Sequence, residues 1–189
     1  MNQPGLDTAR FLRRFRDAGA RVVLIGGMAA VALGVPYLTQ DIDFCYDPAP
    51  ENRPRLVEAL APLQPRLRVE GMPDDAARAL PWRWDERTLR DAPNLTLQTD
   101  AGPIDLLSQV TGLGGYAEVL QEAVTLQIEG QEIAVLDLPG LLRAKRAAGR
   151  AKDAAVLPLL ESTLLLREQA HGSSSEEPPD SAAGKGMCP

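Results

Sequence analysis

Histidine is nearly missing from this chain: of 189 residues only His171 is one, at the root of a C-terminal stretch rich in Ser, Pro and Gly. Its scarcity excludes Ser-His-Asp and Cys-His catalysis, a histidine general base inside the domain and a histidine-rich metal site. Cysteine is equally sparse. Cys45 lies in the apolar run Ile42 to Tyr46 and Cys188 stands next to the C-terminus, so neither a disulfide framework nor zinc spacing is present. Cys45 reads as a small core residue. No run approaches the ~20 apolar residues of a membrane span. The start, Met1 to Asp7, lacks the basic and apolar parts of a signal peptide. The expectation is a cytoplasmic protein with no membrane partner.

Hydrophobic residues make up 44% and charged residues 24%, ordinary values for a globular chain long enough to bury a sizeable core. The net charge of −6 argues against a uniformly basic nucleic-acid binder but leaves room for a local basic patch. The composition divides the chain into a core domain over 1–137, a helical segment over 138–170 and a tail over 171–189. The tail has too few apolar residues to offset the entropy of ordering and is expected to be disordered. Its Gly184-Lys185-Gly186 triplet lacks the upstream glycine, the preceding strand and the Ser/Thr of a phosphate-binding loop.

The order of elements alternates. Asp7 can cap a helix whose apolar positions Phe11, Leu12 and Phe15 recur at helical spacing. Its arginines 10, 13, 14 and 16 form either a solvated face or an RNA-contacting one. Arg21 to Ile25 predicts a buried strand, Met28 to Leu33 a short helix and Asp41 to Tyr46 a second strand. Pro54 to Ala61 reads as a helix opened by proline, and Arg66 to Glu70 as a short strand. Gly71 to Pro93 is a proline-rich loop carrying Trp82-Arg83-Trp84, which either anchors the loop by burial or stacks on a nucleobase. Asn94 to Thr99 and Pro103 to Leu107 form a hairpin about Asp100-Ala101-Gly102. Tyr116 to Glu122 is a helix, and Val124 to Ile128 pairs with Gln131 to Leu136 across Glu129-Gly130. Helical patterning follows over Leu138 to Asp153 and Val156 to Leu166. Lys145 and Lys152 share a helical face if the helix continues through Gly149, a residue that also permits a break.

The chemistry concentrates in two places. Val22-Val23-Leu24-Ile25 ends in Gly26-Gly27, and fourteen residues after Gly27 comes Asp41-Ile42-Asp43. On a strand Asp41 and Asp43 point the same way while Ile42 turns into the core. Two like charges on one sheet edge commonly share a cation, and Mg²⁺ takes one or two protein carboxylates, completing its shell with water and substrate phosphates. A third acid, Asp105, stands between Ile104 and Leu106-Leu107, where a carboxylate needs a partner or a metal. A dinucleotide fold also begins with a strand and glycines, but Gly-x-Gly-x-x-Gly is not present.

Together, Gly26-Gly27, the spacer with Thr39, Asp41-Ile42-Asp43 and Asp105 resemble the polymerase-β-type nucleotidyltransferase superfamily. The Val-Leu-Ile-Gly-Gly-Met-Ala-Ala opening, the Thr39 to Asp43 run and the segment Leu141 to Asp153 resemble, more narrowly, the small bacterial AbiEii-type nucleotidyltransferases, several of which are toxins of toxin–antitoxin pairs. The resemblance covers about residues 20 to 165. It implies an α/β (α+β) fold with a mixed sheet flanked by helices and a C-terminal helical segment. It also implies transfer of a nucleoside monophosphate from a nucleoside triphosphate to an acceptor hydroxyl, with pyrophosphate leaving. In this sequence Asp41, Asp43 and Asp105 would be the catalytic and metal-holding residues for Mg²⁺ or Mn²⁺. Gly26, Gly27, Thr39, Lys145, Arg150 and Lys152 would bind the nucleotide. Gly27 stands where many members carry serine. RNA, tRNA or a protein would be the acceptor and an antitoxin a partner; a non-catalytic member of the same fold, serving as a binding or partner protein, is the alternative.

Overall fold

The computed structural model describes residues 5–172; the expected tail lies outside them from Ser173 onward. Helix α1 (Thr8–Asp17) is capped by the Asp7 carboxylate, which accepts from the Arg10 amide at 2.9 Å. Strand β1 (Val22–Ile25) runs without a loop into α2 (Gly26–Ala32), and β2 (Ile42–Tyr46) returns antiparallel to β1. Then follow α3 (Arg53–Leu60), β3 (Arg66–Leu67), α4 (Asp74–Arg78), α5 (Glu86–Asp91), β4 (Asn94–Thr99) and β5 (Gly102–Leu107). A small hairpin of β6 (Gln109–Val110) and β7 (Gly114–Gly115) leads to α6 (Tyr116–Gln121), β8 (Ala123–Ile128) and β9 (Gln131–Leu136). Helices α7 (Leu138–Ala148) and α8 (Leu157–Gly172) follow.

The fold is α+β. Seven strands form one mixed sheet in the order β3-β4-β5-β2-β1-β9-β8, with β2/β5 and β1/β9 parallel and the other pairs antiparallel. Apolar alternation sets which face is buried: in β5, Ile104 and Leu106 are fully buried while Asp105 and Leu107 are only partly so. Phe11, Leu12 and Phe15 of α1 are buried with Leu56 and Leu60 of α3, and Phe15 meets Phe44 of β2 edge-to-face at 4.8 Å. Of the α1 arginines, Arg14 caps α3 by donating to the Glu58 and Ala59 carbonyls. Among the described residues no helix is long and apolar enough to cross a membrane.

Three sequence expectations change. The stretch from Gly71 to Pro93 holds two short helices, α4 and α5, because Asp74 and Asp75 begin one and the Asp85 carboxylate caps the other. Arg66, buried, bonds Asp74 and Asp100, and Arg78 bonds the same two acids, so α4 is tied to the β4–β5 turn. Strand β3 is two residues long rather than five. Finally, α7 stops at Ala148, where Gly149 adopts the left-handed conformation (φ 59°) and ends the helix. Lys145 and Lys152 therefore belong to separate elements: residues 151–155 form a 3₁₀ turn, and only the backbone of Lys152 is described.

Candidate metal and nucleotide site

Strand register assembles the acids. In the parallel pair β2/β5, Asp43 is the direct partner of Asp105, and Asp105 in turn faces Thr96 of β4. Arg68, just past β3, continues the row: its amide donates to the Thr96 carbonyl at 3.0 Å. Asp41 precedes β2 and lies on the same side as Asp43, while Ile42 between them is fully buried. One carboxylate oxygen from each of Asp41, Asp43 and Asp105 lies within 4.8 Å of the others. Opposite ligands of one Mg²⁺ stand about 4.2 Å apart, so small side-chain movements bring the three onto an ion. The donor set, hard oxygens and no nitrogen or sulfur, suits Mg²⁺ or Mn²⁺.

The glycine turn presses on this cluster. Gly26 has φ +66°, and a Cβ there would fall 1.9 Å from Asp43 Oδ2. The Gly27 amide faces the Asp43 carboxyl and favours its ionised form. A Cβ on Gly27 would meet Thr39 Oγ1 at 2.7 Å. The Thr39 side chain thus fills the space a serine at position 27 would need. Its hydroxyl lies 3.0 Å from Asp41 Oδ1 and 3.1 Å from the Asp41 carbonyl, both acceptors, and fixes the first acid of the cluster.

Like charges crowd together here. Burial, then the neighbouring Asp41 and Asp105 carboxylates, push the Asp43 carboxyl up to about 7 against the opposing pull of the Gly27 amide and Lys145. Arg68 bonds the cluster from its edge: Nη2 lies 2.8 Å from Asp105 Oδ1 and 3.8 Å from Asp41 Oδ2. Three carboxyl groups drawn this close repel one another, the condition a divalent cation relieves.

Beside Asp43 opens a cleft of about 180 Å³, between the strand ends and α7. Gly26, Asp43, Lys145 and Arg150 line one part of it, and Asn94, Gln109 and Thr111 another. Lys145 is not a loose cation: Nζ lies 2.7 Å from Asp153 Oδ1, and the Asp153 side chain is only 7% exposed. Arg150 is exposed at the mouth.

Two of these residues escaped the sequence reading. Arg68 sits two strands away from Asp105, and only the β3/β4 register reveals their contact. The Asp153 amide bonds the Arg150 carbonyl at 2.9 Å, while its carboxylate goes to Lys145, a contact that the chain reversal after α7 creates. Trp82 and Trp84 stand apart from the cluster: Trp84 Nε1 donates to the Val57 carbonyl at 3.1 Å and anchors its loop on α3. No protein-family profile matches the chain, and comparison with curated proteins finds no significant match.

Proposed function

We propose that the protein is a divalent-metal-dependent nucleotidyltransferase, moving a nucleoside monophosphate from a nucleoside triphosphate to an acceptor hydroxyl. The observation that carries this reading is the in-register pair Asp43 and Asp105, with Asp41 close enough to share a cation and the cleft opening directly beside Asp43. Asp41, Asp43 and Asp105 would hold the metal, which when bound supplies charge neutralisation at the α-phosphate and lowers the pKa of the attacking hydroxyl. Thr39 orients Asp41. Lys145 and Arg150, on the cleft wall, neutralise the triphosphate. The acceptor oxygen forms the new bond to the α-phosphorus, the bond from that phosphorus to the bridging oxygen of the β-phosphate breaks, and Asp105 takes the hydroxyl proton. Following the sequence resemblance, an RNA end or a protein hydroxyl would be the acceptor, and the protein would be the toxin half of a two-protein pair.

A second reading, a non-catalytic binding or partner protein, is favoured by one observation: the cationic side chains Arg68 and Lys145 are already paired with acids. The deciding experiment incubates the protein with each labelled nucleoside triphosphate, Mg²⁺ or Mn²⁺, and total RNA or cell lysate. Label transfer that disappears in Asp41→Ala and Asp105→Ala supports the enzyme. Calorimetry in which neither metal nor nucleotide binds would favour the second reading.

A further inference from the structure

We propose that Arg68 is a built-in counter-cation of the carboxylate cluster and that a divalent ion binds by displacing it. The inference rests on the metal-binding part of the reading above and on nothing about the acceptor or the nucleotide.

The Arg68 guanidinium pairs with two of the three acids that a metal would use. It touches Asp105 Oδ1 at 2.8 Å and approaches Asp41 Oδ2 to 3.8 Å, bridging two of the three acids. A metal held on the same carboxylates would sit only a few ångströms from this positive charge, and two unscreened cations that close repel. The two occupants are therefore alternatives. Each solves the same problem, since three acids facing one another are costly unless neutralised.

The backbone fixes where Arg68 starts but not where its tip must stay. Its amide is held by the Thr96 carbonyl, so the Cα remains across β4 from Asp105. The side chain is one-third exposed, and a long flexible stem can carry its head from the carboxylates to water at modest cost. Arg66, two residues earlier, cannot replace it, because that side chain is buried and held by Asp74 and Asp100. Arg68 is thus a positioning residue, which keeps the acids together in the metal-free protein and sets how tightly a metal must bind to enter.

The test compares full-length wild-type protein, Arg68→Gln and Arg68→Lys, each stripped with chelator. Mn²⁺ and Mg²⁺ are titrated by calorimetry, and melting is followed with and without metal at pH 8. Arg68→Gln should bind Mn²⁺ about tenfold more tightly, the worth of one charge-assisted hydrogen bond. Its metal-free form should melt below wild type and recover with Mn²⁺. Arg68→Lys, which keeps the charge without the planar fork, should fall between the two and carries the comparison if Arg68→Gln fails to fold. Arg78→Gln, remote from the cluster, should leave metal affinity unchanged. Equal or weaker Mn²⁺ binding by folded Arg68→Gln, with wild type binding normally, overturns the counter-cation role alone. Failure of every variant and of wild type to bind metal overturns the metal site itself and this inference with it, whereas binding by Arg68→Gln but not by wild type supports both.

Discussion

Lys145 and Asp153 form an ion pair at 2.7 Å across the helix break at Gly149, joining the last turn of α7 to the short segment that leads into α8. The left-handed Gly149 turns the chain back so that residues eight apart meet, a contact a continuous helix would not make. The pair also lines the cleft beside Asp43. It therefore has two separable roles, holding the turn and offering charge to a ligand.

Removing either partner should reveal the first role. Both side chains are largely buried, 15% and 7% exposed, so Lys145→Gln strands a carboxylate with little water. Losing one member of a buried pair costs about 3 kcal/mol or more, and the melting temperature should fall by many degrees. The double variant Lys145→Met/Asp153→Leu should recover much of that loss. Nucleotide titration separates the second role. If Lys145 meets the triphosphate, Lys145→Gln weakens binding while Asp153→Asn, which frees the ammonium, does not. Equal weakening by both variants would reduce the pair to a scaffold.

Gly26 offers a test in which backbone strain and steric clash can be told apart. Both Gly26 (φ +66°) and Gly34 (φ +84°) are left-handed, but of the two only Gly26 has a neighbour that a Cβ would strike, namely Asp43. Gly34→Ala should cost about 1–2 kcal/mol for the left-handed backbone alone. Gly26→Ala should cost more and, by pushing Asp43 away, lower metal affinity, which Gly34→Ala should not touch. Thermal melts and metal titrations of the two variants check this; matching behaviour would mean that Asp43 yields without consequence. By the same logic Gly27→Ser should be relieved only in part by Thr39→Ala, which removes Oγ1 but keeps the Cβ 2.9 Å away, and more fully by Thr39→Gly.

The pattern of β1, β2, β4, β5, β8 and β9 was legible because apolar runs bounded by Gly-Gly, Asp-Ala-Gly and Glu-Gly mark strands and turns locally. So was the Asp7 cap. The three acids could be named as candidates, since carboxylates in apolar runs stand out. Their mutual approach could not be derived from spacing alone: Asp43 and Asp105 meet only because β2 and β5 pair in parallel with that register. Arg68 carried no local signal at all, being one of many arginines, and its role depends on β3 lying at the sheet edge beside β4. The short helices α4 and α5 were hidden behind a proline-rich composition, because a helix of one or two turns needs only a cap and tertiary support, not a periodic pattern.

Asp43 gives a pH signature with a definite sign. Its carboxyl titrates near 3.8 when exposed and about 7 in the folded, metal-free protein, so the folded state holds a proton that the unfolded state has lost between those values. Where the native state binds more protons, stability falls as pH rises. From about pH 4 to about pH 7 this group should therefore progressively destabilise the metal-free fold, and above pH 7 its penalty should be complete. Asp43→Asn keeps the shape and an oxygen to accept from the Gly27 amide but carries no charge. Relative to wild type it should melt higher at pH 8 and about equally at pH 4. Mg²⁺ reverses the comparison: added at pH 8, it should raise the wild-type melting temperature by neutralising the ionised cluster and leave Asp43→Asn little changed. An Asp43→Asn variant no more stable than wild type at pH 8 would mean that the three acids do not strain the metal-free fold. A wild type indifferent to Mg²⁺ would leave their proximity without a metal to explain it.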